Sequence, residues 1–359
     1  MIASQWLSRL TGLQKTGLQK IACLLLVFSA ASVSLQLSAF ELTATDVQTI
    51  IDNDSRPFSG SIVISDNHTR YVHYQAGCDI ASDSLFMIGS ISKTVTATLV
   101  LQAVDQKKLT LADSITDYLE IIPEHPVTIS QLLNHTSGIT LPKSPNLNAG
   151  AQFMPASQFN YSNYGYKLLG DILAQVYQQP YAQLVNQFAA NNQLDIHADT
   201  GSIAQRHTTQ TRLVKGYTEQ QQQRTQLTDF TLNNAFIAFG GMQASSAGVV
   251  EFINGLHQGQ FLSATSYQAM THASAVRQHR WGDTGYGYGL QISQQDGLVE
   301  YSHSGYIPGY ISLMLYYPQS QLTVVILENT SWDLDDIDRV FGLHDKIRQA
   351  VREQLTTYE

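Results

Sequence analysis

Residues 86–101 read FMIGSISKTVTATLVL, in which a short apolar segment is followed by a glycine, a Ser-x-x-Lys motif and a run of small and apolar residues. The second half of this stretch is typical of a buried helix. If that helix begins at or just before Ser90, then Ser90 and Lys93 lie one turn apart on the same face. The stretch therefore predicts a hydroxyl at a helix N-terminus, where backbone N–H groups favour negative charge, with an amine beside it.

This pair is a candidate for nucleophilic catalysis. A serine hydroxyl is a weak nucleophile until a base accepts its proton, and a lysine whose pKa is lowered in a poorly solvated site can do so. Ser-x-x-Lys also arises by chance in a serine-rich chain, so the interpretation depends on the other motifs.

Composition excludes some classes of function. The chain has 359 residues, of which 14% are charged, and its net charge is −9. A nucleic-acid-binding protein needs a basic surface to neutralise phosphates, so no nucleic-acid partner is expected. The sequence contains no His-Glu-x-x-His motif and no cluster with metal-ligand spacing, so we expect neither a metal nor another cofactor.

The N-terminus has the pattern of an export signal. Basic residues (Arg9, Lys15 and Lys20) precede an apolar stretch over 21–31, and small residues lead to Ala39. The apolar stretch is short for a membrane span, which favours a cleaved signal over an anchor. We therefore expect a signal peptide over 1–39, a periplasmic or secreted protein with no stable span after cleavage, and a single remaining cysteine, Cys78, to which no role is assigned.

Apolar periodicity in the rest of the chain predicts an α+β fold. A β-hairpin over 59–65 and 70–75, a segment over 286–292 and a strand pair over 310–317 and 322–327 have strand patterns, whereas 219–224 resembles a solvated loop. Helices are predicted over 44–53, 95–104, 130–134, 164–177, 181–190 and 336–354. Strands at both ends with helices between them predict one antiparallel sheet flanked by helices, with a mostly helical domain inserted in the middle.

Two further motifs accompany Ser-x-x-Lys. Tyr161-Ser162-Asn163 precedes a predicted helix, and His303-Ser304-Gly305 lies just before a predicted strand. Taken singly, the first could be a helix cap and the second a turn. In this order, however, the three motifs resemble those of the serine β-lactamase and penicillin-binding-protein superfamily, in particular its class C and D-alanyl-D-alanine-carboxypeptidase-like branch. LLNHTSGI at 132–139, GGMQAS at 240–245 and YGYG at 286–289 resemble further segments of that family.

The resemblance implies a β-lactamase/transpeptidase-like domain over 40–359, with an α/β part at about 40–93 and 236–359 and a helical part at about 94–235. It implies that Ser90 forms an acyl-enzyme, and that Lys93 or Tyr161 is the general base. The same resemblance makes Asn163 a residue that holds the substrate amide and Lys93. It also implies that the backbone N–H groups of Ser90 and Tyr306 form an oxyanion hole, and that His303, Ser304 and Gly305 line the substrate strand.

One departure from the family pattern bears on the substrate. The third motif begins with His303 in place of the lysine that supplies a permanent positive charge. This weakens the case for a dedicated β-lactamase and is compatible with both the D-Ala-D-Ala peptidases and the esterases of the family. The function expected first is a carboxypeptidase acting on D-amino-acid peptides, including peptides derived from peptidoglycan. The alternatives are a carboxylesterase, a class C-like β-lactamase, or a non-catalytic protein that binds cell-wall peptides.

Overall fold

The computed structural model describes residues 40–77, 79–141, 150–221, 223–228 and 230–356. The predicted signal peptide and Cys78 lie outside these residues. None of the helices in the described ranges combines the length and the apolar character needed to cross a bilayer.

The α-helices are α1 (Ala44–Asp52), α2 (Ser92–Asp105), α3 (Ile129–Leu133), α4 (Asn163–Tyr177), α5 (Tyr181–Asn191), α6 (Ile203–Thr209), α7 (Asn234–Ile237), α8 (Ser246–His257), α9 (Ala264–Met270) and α10 (Ile337–Thr356). Short 3₁₀ helices span Gly89–Ile91, Ile115–Asp117 and Gln295–Gly297.

The first strands are β1 (Gly60–Ser65), β2 (Arg70–Ala76), β3 (Phe86–Met87), β4 (Ile139–Thr140), β5 (Gly150–Ala151), β6 (Ile196–His197), β7 (Gly201–Ser202), β8 (Tyr217–Gln220) and β9 (Gln223–Gln226). The later strands are β10 (Thr231–Leu232), β11 (Gln243–Ala244), β12 (Ala275–His279), β13 (Gly282–Tyr286), β14 (Gln291–Ser293), β15 (Glu300–Ile307), β16 (Tyr310–Tyr317), β17 (Leu322–Glu328) and β18 (Thr330–Ser331).

An antiparallel sheet built from both ends of the chain organises the fold. Its eight strands run in the order β12-β13-β14-β15-β16-β17-β1-β2. The N-terminal strand β1 pairs along its whole length with the C-terminal strand β17, from Gly60 opposite Glu328 to Ser65 opposite Thr323. The α+β prediction, with one antiparallel sheet flanked by helices, is confirmed.

Helices cover both faces of the sheet, which explains why its central strands are largely apolar and buried along their whole length. Every residue of β16 and β17 is buried. Because side chains alternate along a strand, Leu313 and Leu315 join the core beneath α1 and α10, whereas Met314 and Tyr316 join the larger core on the side of α2. The sheet is therefore the middle layer of three.

Three local predictions were wrong. The segment at 219–224, predicted as a solvated loop, contributes to strands β8 and β9, which pair with each other, and β8 also pairs with β18. The predicted strand over 286–292 is interrupted, because β13 ends at Tyr286 and β14 begins at Gln291. Ser90 lies in a 3₁₀ turn, and the α-helix begins two residues later at Ser92. The division into an α/β part and a helical part stays a prediction.

Candidate active site

The three motifs meet at one cleft. A cavity of about 370 Å³ lies between the 3₁₀ turn of Ser90, the start of α4, the edge strand β12, strand β15 and the start of α10. Its lining residues are Ser90, Tyr161, Asn163, Arg277, Gln278, His279, Arg280, His303, Ser304, Gly305, Tyr306, Ile337 and Phe341. All the predicted site residues except Lys93 line this cavity, and Lys93 lies directly behind Ser90.

The turn that carries Ser90 packs closely against strand β15, and two glycines make this possible. Gly89 has a φ of +51°, and a Cβ on it would lie 2.9 Å from the backbone nitrogen of Tyr306. A Cβ on Gly305 would lie 3.0 Å from the backbone nitrogen of Ser90. Since real Cβ atoms do not approach so closely, only glycine allows the Ser90 turn and the Tyr306 strand to lie side by side. This is the neighbourhood in which a pair of backbone donors could stabilise an oxyanion.

Lys93 is fully buried beside Ser90. Its Nζ donates to Ser90 Oγ at 3.0 Å and to the carbonyl oxygen of Phe239 at 2.7 Å. Its side chain takes part in none of the ion pairs of the described residues. Burial lowers the pKa of Lys93 well below its usual value, and the positive charge of Arg277 adds to this effect. A neutral amine next to a hydroxyl can accept its proton.

Tyr161 lies where the chain enters α4, and the hydroxyl of Ser162 caps that helix by accepting from the backbone N–H of Gly165 at 3.0 Å. The Nζ of Lys93 is 4.8 Å from the centroid of the Tyr161 ring. Burial raises the pKa of Tyr161 to about 12, although the Ser90 hydroxyl and the charge of Arg277 oppose this shift. The phenol therefore keeps its proton at neutral pH.

A chain of hydrogen bonds fixes His303 in its neutral form. His135 Nδ1 accepts from the backbone N–H of Ser162 at 3.1 Å, so its Nε2–H donates to the Tyr286 hydroxyl at 3.2 Å. The Tyr286 hydroxyl then donates to His303 Nε2 at 3.1 Å, and His303 Nδ1–H donates to the carbonyl oxygen of Ser304 at 2.8 Å. Burial, followed by the charge of Lys93, lowers the pKa of His303 to about 3. The third motif thus brings no positive charge to the cleft.

The remaining predicted residues border the cavity. Ser304, Gly305 and Tyr306 follow His303 along β15, and the Tyr306 hydroxyl donates to the carbonyl oxygen of Trp332 at 2.8 Å. Asn163 is exposed at the mouth. The hydrogen bonds of the Lys93 amine go to Ser90 and Phe239, so the expected contact between Asn163 and Lys93 is not formed in the described structure. The carbonyl of Phe239 takes that place.

Sequence reasoning missed three groups at this site. Two are the carbonyl of Phe239, which comes from a turn distant in sequence, and the guanidinium of Arg277, which is 5.1 Å from the centroid of the Tyr161 ring. The third is the Tyr286 hydroxyl, whose YGYG segment was predicted to be a strand that resembles a family segment, with no role for its tyrosine. That segment also fastens α2, because Thr94 Oγ1 donates to the carbonyl oxygen of Gly289 at 2.7 Å. In the described ranges, no group of three or more histidine, cysteine or acidic residues could hold a metal ion.

The chain is similar in sequence to several known proteins. The sequence model of the β-lactamase family matches residues 52–341. Penicillin-binding protein 4* of Bacillus subtilis (strain 168) is 23% identical over 330 residues, which cover 80% of this chain and 72% of that protein. Several other relatives are similar over a smaller part of their length. A β-lactamase from Providencia stuartii, for example, is 31% identical over a region that covers 44% of this chain and 47% of that protein.

Solved structures show the same fold. A D-amino acid amidase from Ochrobactrum anthropi SV3, solved with L-phenylalanine, superposes with a TM-score of 0.71 at 22% identity over 87% of this chain and 97% of that one. EstCE1, described as a hydrolase with promiscuous acyltransferase activity, superposes with a TM-score of 0.67 at 19% identity over 87% of this chain and 98% of that one. The family match over most of the described residues leads to one conclusion: the chain belongs to the β-lactamase family and is a serine hydrolase of the β-lactamase and penicillin-binding-protein superfamily.

Proposed function

We propose that this chain cleaves peptides or amides of D-amino acids through an acyl-enzyme on Ser90, with chemistry of the D-Ala-D-Ala carboxypeptidase type. The observation that carries the proposal is the buried amine of Lys93, which lies 3.0 Å from Ser90 Oγ without a carboxylate partner among the described residues. The substrate class is supported by the structural neighbour from Ochrobactrum anthropi SV3, which is a D-amino acid amidase.

In the proposed acylation step, Lys93 is the general base. The neutral amine accepts the proton of Ser90 while Ser90 Oγ forms a bond to the substrate carbonyl carbon. The backbone N–H groups of Ser90 and Tyr306 stabilise the oxyanion, and Asn163 binds the substrate amide. The C–N bond then breaks, and the proton passes from Lys93 through the phenol of Tyr161 to the leaving nitrogen. A phenol whose pKa is about 12 is suited to donate this proton and is a poor base at neutral pH.

Deacylation reverses these roles with water in place of the leaving amine. Lys93 is neutral again once the leaving group has taken the proton. It accepts a proton from the water that attacks the acyl carbon, and it passes that proton to Ser90 Oγ as the ester bond breaks. The predicted export signal fits substrates released from the cell wall. Both the export and the peptidoglycan origin of the substrate are part of this proposal.

The second candidate function is hydrolysis of neutral carboxylic esters or of β-lactams on the same scaffold. The neutral state of His303 favours a neutral ester, because the third motif supplies no cation for a substrate carboxylate. EstCE1, which has the same fold, is described as a hydrolase with promiscuous acyltransferase activity. A non-catalytic wall-binding protein is the least favoured, because Ser90, Lys93 and Tyr161 are all retained and meet at one cleft.

The test compares three substrates on the purified chain: an N-acyl-D-Ala-D-Ala peptide, p-nitrophenyl butyrate and a fluorescent penicillin. We expect release of D-alanine, and an acyl adduct that mass spectrometry locates on Ser90. The Ser90→Ala variant should lose both signals, whereas the matched Ser320→Ala variant, at an exposed turn, should keep them. Ester turnover without peptide cleavage would support the esterase, and binding without any Ser90 adduct would contradict catalysis.

A further inference from the structure

Among the described residues at the rim of the cleft, Arg277 differs from the other arginine, Arg280, because its charge is not matched by a carboxylate. It lies on strand β12 and lines the cavity together with Ser90. Its neighbour Arg280 binds Asp345 through two nitrogens, at 2.8 and 2.9 Å. The ion pairs of the described residues include Arg280 but not Arg277.

The other titratable groups at the cavity are neutral or already paired. His303 and His279 both have a pKa lowered to about 3, in each case mainly by burial. Tyr161 keeps its proton, and burial also favours the neutral form of Lys93. A guanidinium keeps its charge at any pH at which proteins work. Arg277 therefore provides the permanent and unneutralised positive charge of this cleft.

The position of Arg277 indicates which part of a substrate it meets. Its guanidinium carbon lies 5.1 Å from the centroid of the Tyr161 ring. In the proposed mechanism the Tyr161 phenol delivers a proton to the leaving nitrogen, so the leaving portion of the substrate must lie beside that phenol. A guanidinium next to the same ring is placed to bind an anion on the leaving portion.

We infer that Arg277 binds the carboxylate of the leaving portion of the substrate, and thereby selects peptides with a free C-terminus over neutral amides and esters. This inference rests on the proposed function for the direction of the substrate. Arg277, on the edge strand β12, then supplies the positive charge that the third motif lacks at His303. A planar guanidinium can hold a carboxylate through two parallel hydrogen bonds, which gives orientation as well as affinity.

Binding to an inactive chain tests this inference separately from the reaction. In the Ser90→Ala background, calorimetry compares N-acetyl-D-alanyl-D-alanine with its C-terminal amide. We expect the free acid to bind at least about tenfold more tightly than the amide, as for a charge-assisted hydrogen-bonded pair. Adding Arg277→Gln should remove that preference, and Arg277→Lys should restore part of it.

The matched control is Arg224→Gln. Arg224 also lies against a tyrosine, with its guanidinium carbon 3.7 Å from the centroid of the Tyr217 ring, but it lines a different cavity. This change should leave the preference for the free acid intact. Equal losses for acid and amide in Arg277→Gln, or no preference in the Ser90→Ala chain, would overturn the inference.

Turnover separates a failure of this inference from a failure of the proposed function. If the active chain releases D-alanine but Arg277→Gln leaves the ratio of kcat/KM for acid over amide unchanged, the proposed function stands and the anion site is wrong. If neither peptide is cleaved while Ser90→Ala still binds the acid through Arg277, the anion site stands and the proposed reaction is wrong.

Discussion

Ionisable groups are buried in two regions of this molecule, and the two regions treat them in opposite ways. Beneath α10, on the face of the sheet away from α2, lies a group that we call the carboxylate layer: Glu300, Glu328, Arg56, Arg348, Arg352 and His344. In the cleft, Lys93 and His303 are buried, and Tyr161 beside them is half-buried.

Every charge in the carboxylate layer has a partner of the opposite sign. Arg56 binds both oxygens of Glu328, at 2.6 and 2.8 Å, and Arg348 binds Glu300 at 2.9 Å. Burial raises the pKa of Glu328, but the charge and hydrogen bonds of Arg56, with those of His344, outweigh it and hold the pKa below its usual value. Glu328 therefore remains ionised, and the two carboxylates connect strands β15 and β17 to the segments that cover them.

The cleft contains a buried amine without such a partner. Because no carboxylate of the described residues pairs with its protonated form, Lys93 is driven toward the neutral state that can act as a base. The comparison indicates that pairing makes a buried charge structural, whereas leaving it unpaired makes it reactive at the expense of stability. The following predictions test this contrast, from the largest effect to the smallest.

Removing the amine should abolish catalysis. Lys93→Met keeps the volume and apolar character of the side chain but cannot accept the proton of Ser90. We expect release of D-alanine from the N-acyl-D-Ala-D-Ala peptide to fall by about a thousandfold or more, as for other coupled nucleophile and base groups. The steady-state rate of D-alanine release measures this loss. Activity within about tenfold of the parent would show that Lys93 is not the base.

Removing one partner from the carboxylate layer should damage the fold instead. Arg56→Met leaves Glu328 buried with its charge uncompensated by the guanidinium, and we expect a loss of about 3–5 kcal/mol in the free energy of unfolding. Urea denaturation followed by circular dichroism measures it. The control is Lys167→Met in the half-exposed pair of Lys167 and Asp171, for which about 0.5 kcal/mol is expected.

The same Lys93→Met change that abolishes activity should stabilise the protein. Folding lowers the pKa of Lys93, so at neutral pH the amine binds a proton more readily in the unfolded state than in the folded state. This difference reduces the free energy of unfolding. Replacing the amine by an apolar group removes that penalty, and we expect a gain of about 0.5–2 kcal/mol at pH 7 by urea denaturation. A loss of stability would mean that the amine is adequately solvated or paired.

The neutral histidine of the cleft should make the fold sensitive to acid. The pKa of His303 is about 3 in the folded state and near 6.5 in the unfolded state. Above pH 6.5 the imidazole is neutral in both states, so the full stability is present. As the pH falls below 6.5 the unfolded state binds a proton that the folded state does not, and the free energy of unfolding decreases. The slope is about 1.4 kcal/mol per pH unit for one such group. In urea titrations between pH 6.5 and 5, His303→Gln should show a slope that is shallower by about this amount. An unchanged slope would indicate that His303 becomes protonated in the folded protein.

Much of this site was predictable from the sequence because its main residues sit in short contiguous motifs. Ser90 and Lys93 are three positions apart, and a motif of that length can be read without knowing the fold. The strand pair over 310–317 and 322–327 was also predicted, because both strands are apolar on both faces and a turn containing Pro318 joins them.

The groups that set the electrostatics of the cleft were not predictable in this way. The Phe239 carbonyl is 146 positions from Lys93, and a backbone oxygen has no signature in the sequence. Tyr286 on β13 contacts His303 on β15 although β14 lies between these strands, so the contact depends on the three-dimensional arrangement of the sheet. The 3₁₀ geometry at Ser90 follows from the close packing of Gly89 against β15, which is a tertiary contact that overrides local helix propensity.

The pairing of β1 with β17 has a consequence for how the chain is made. Arg56 and Glu328 are 272 positions apart. During synthesis, β1 therefore cannot pair with β17 until the C-terminal part of the chain has been made. Contacts so distant in sequence slow folding and leave an unpaired apolar edge available to neighbouring chains in the meantime. The nascent polypeptide should therefore depend on a holding chaperone until nearly all of it has left the ribosome.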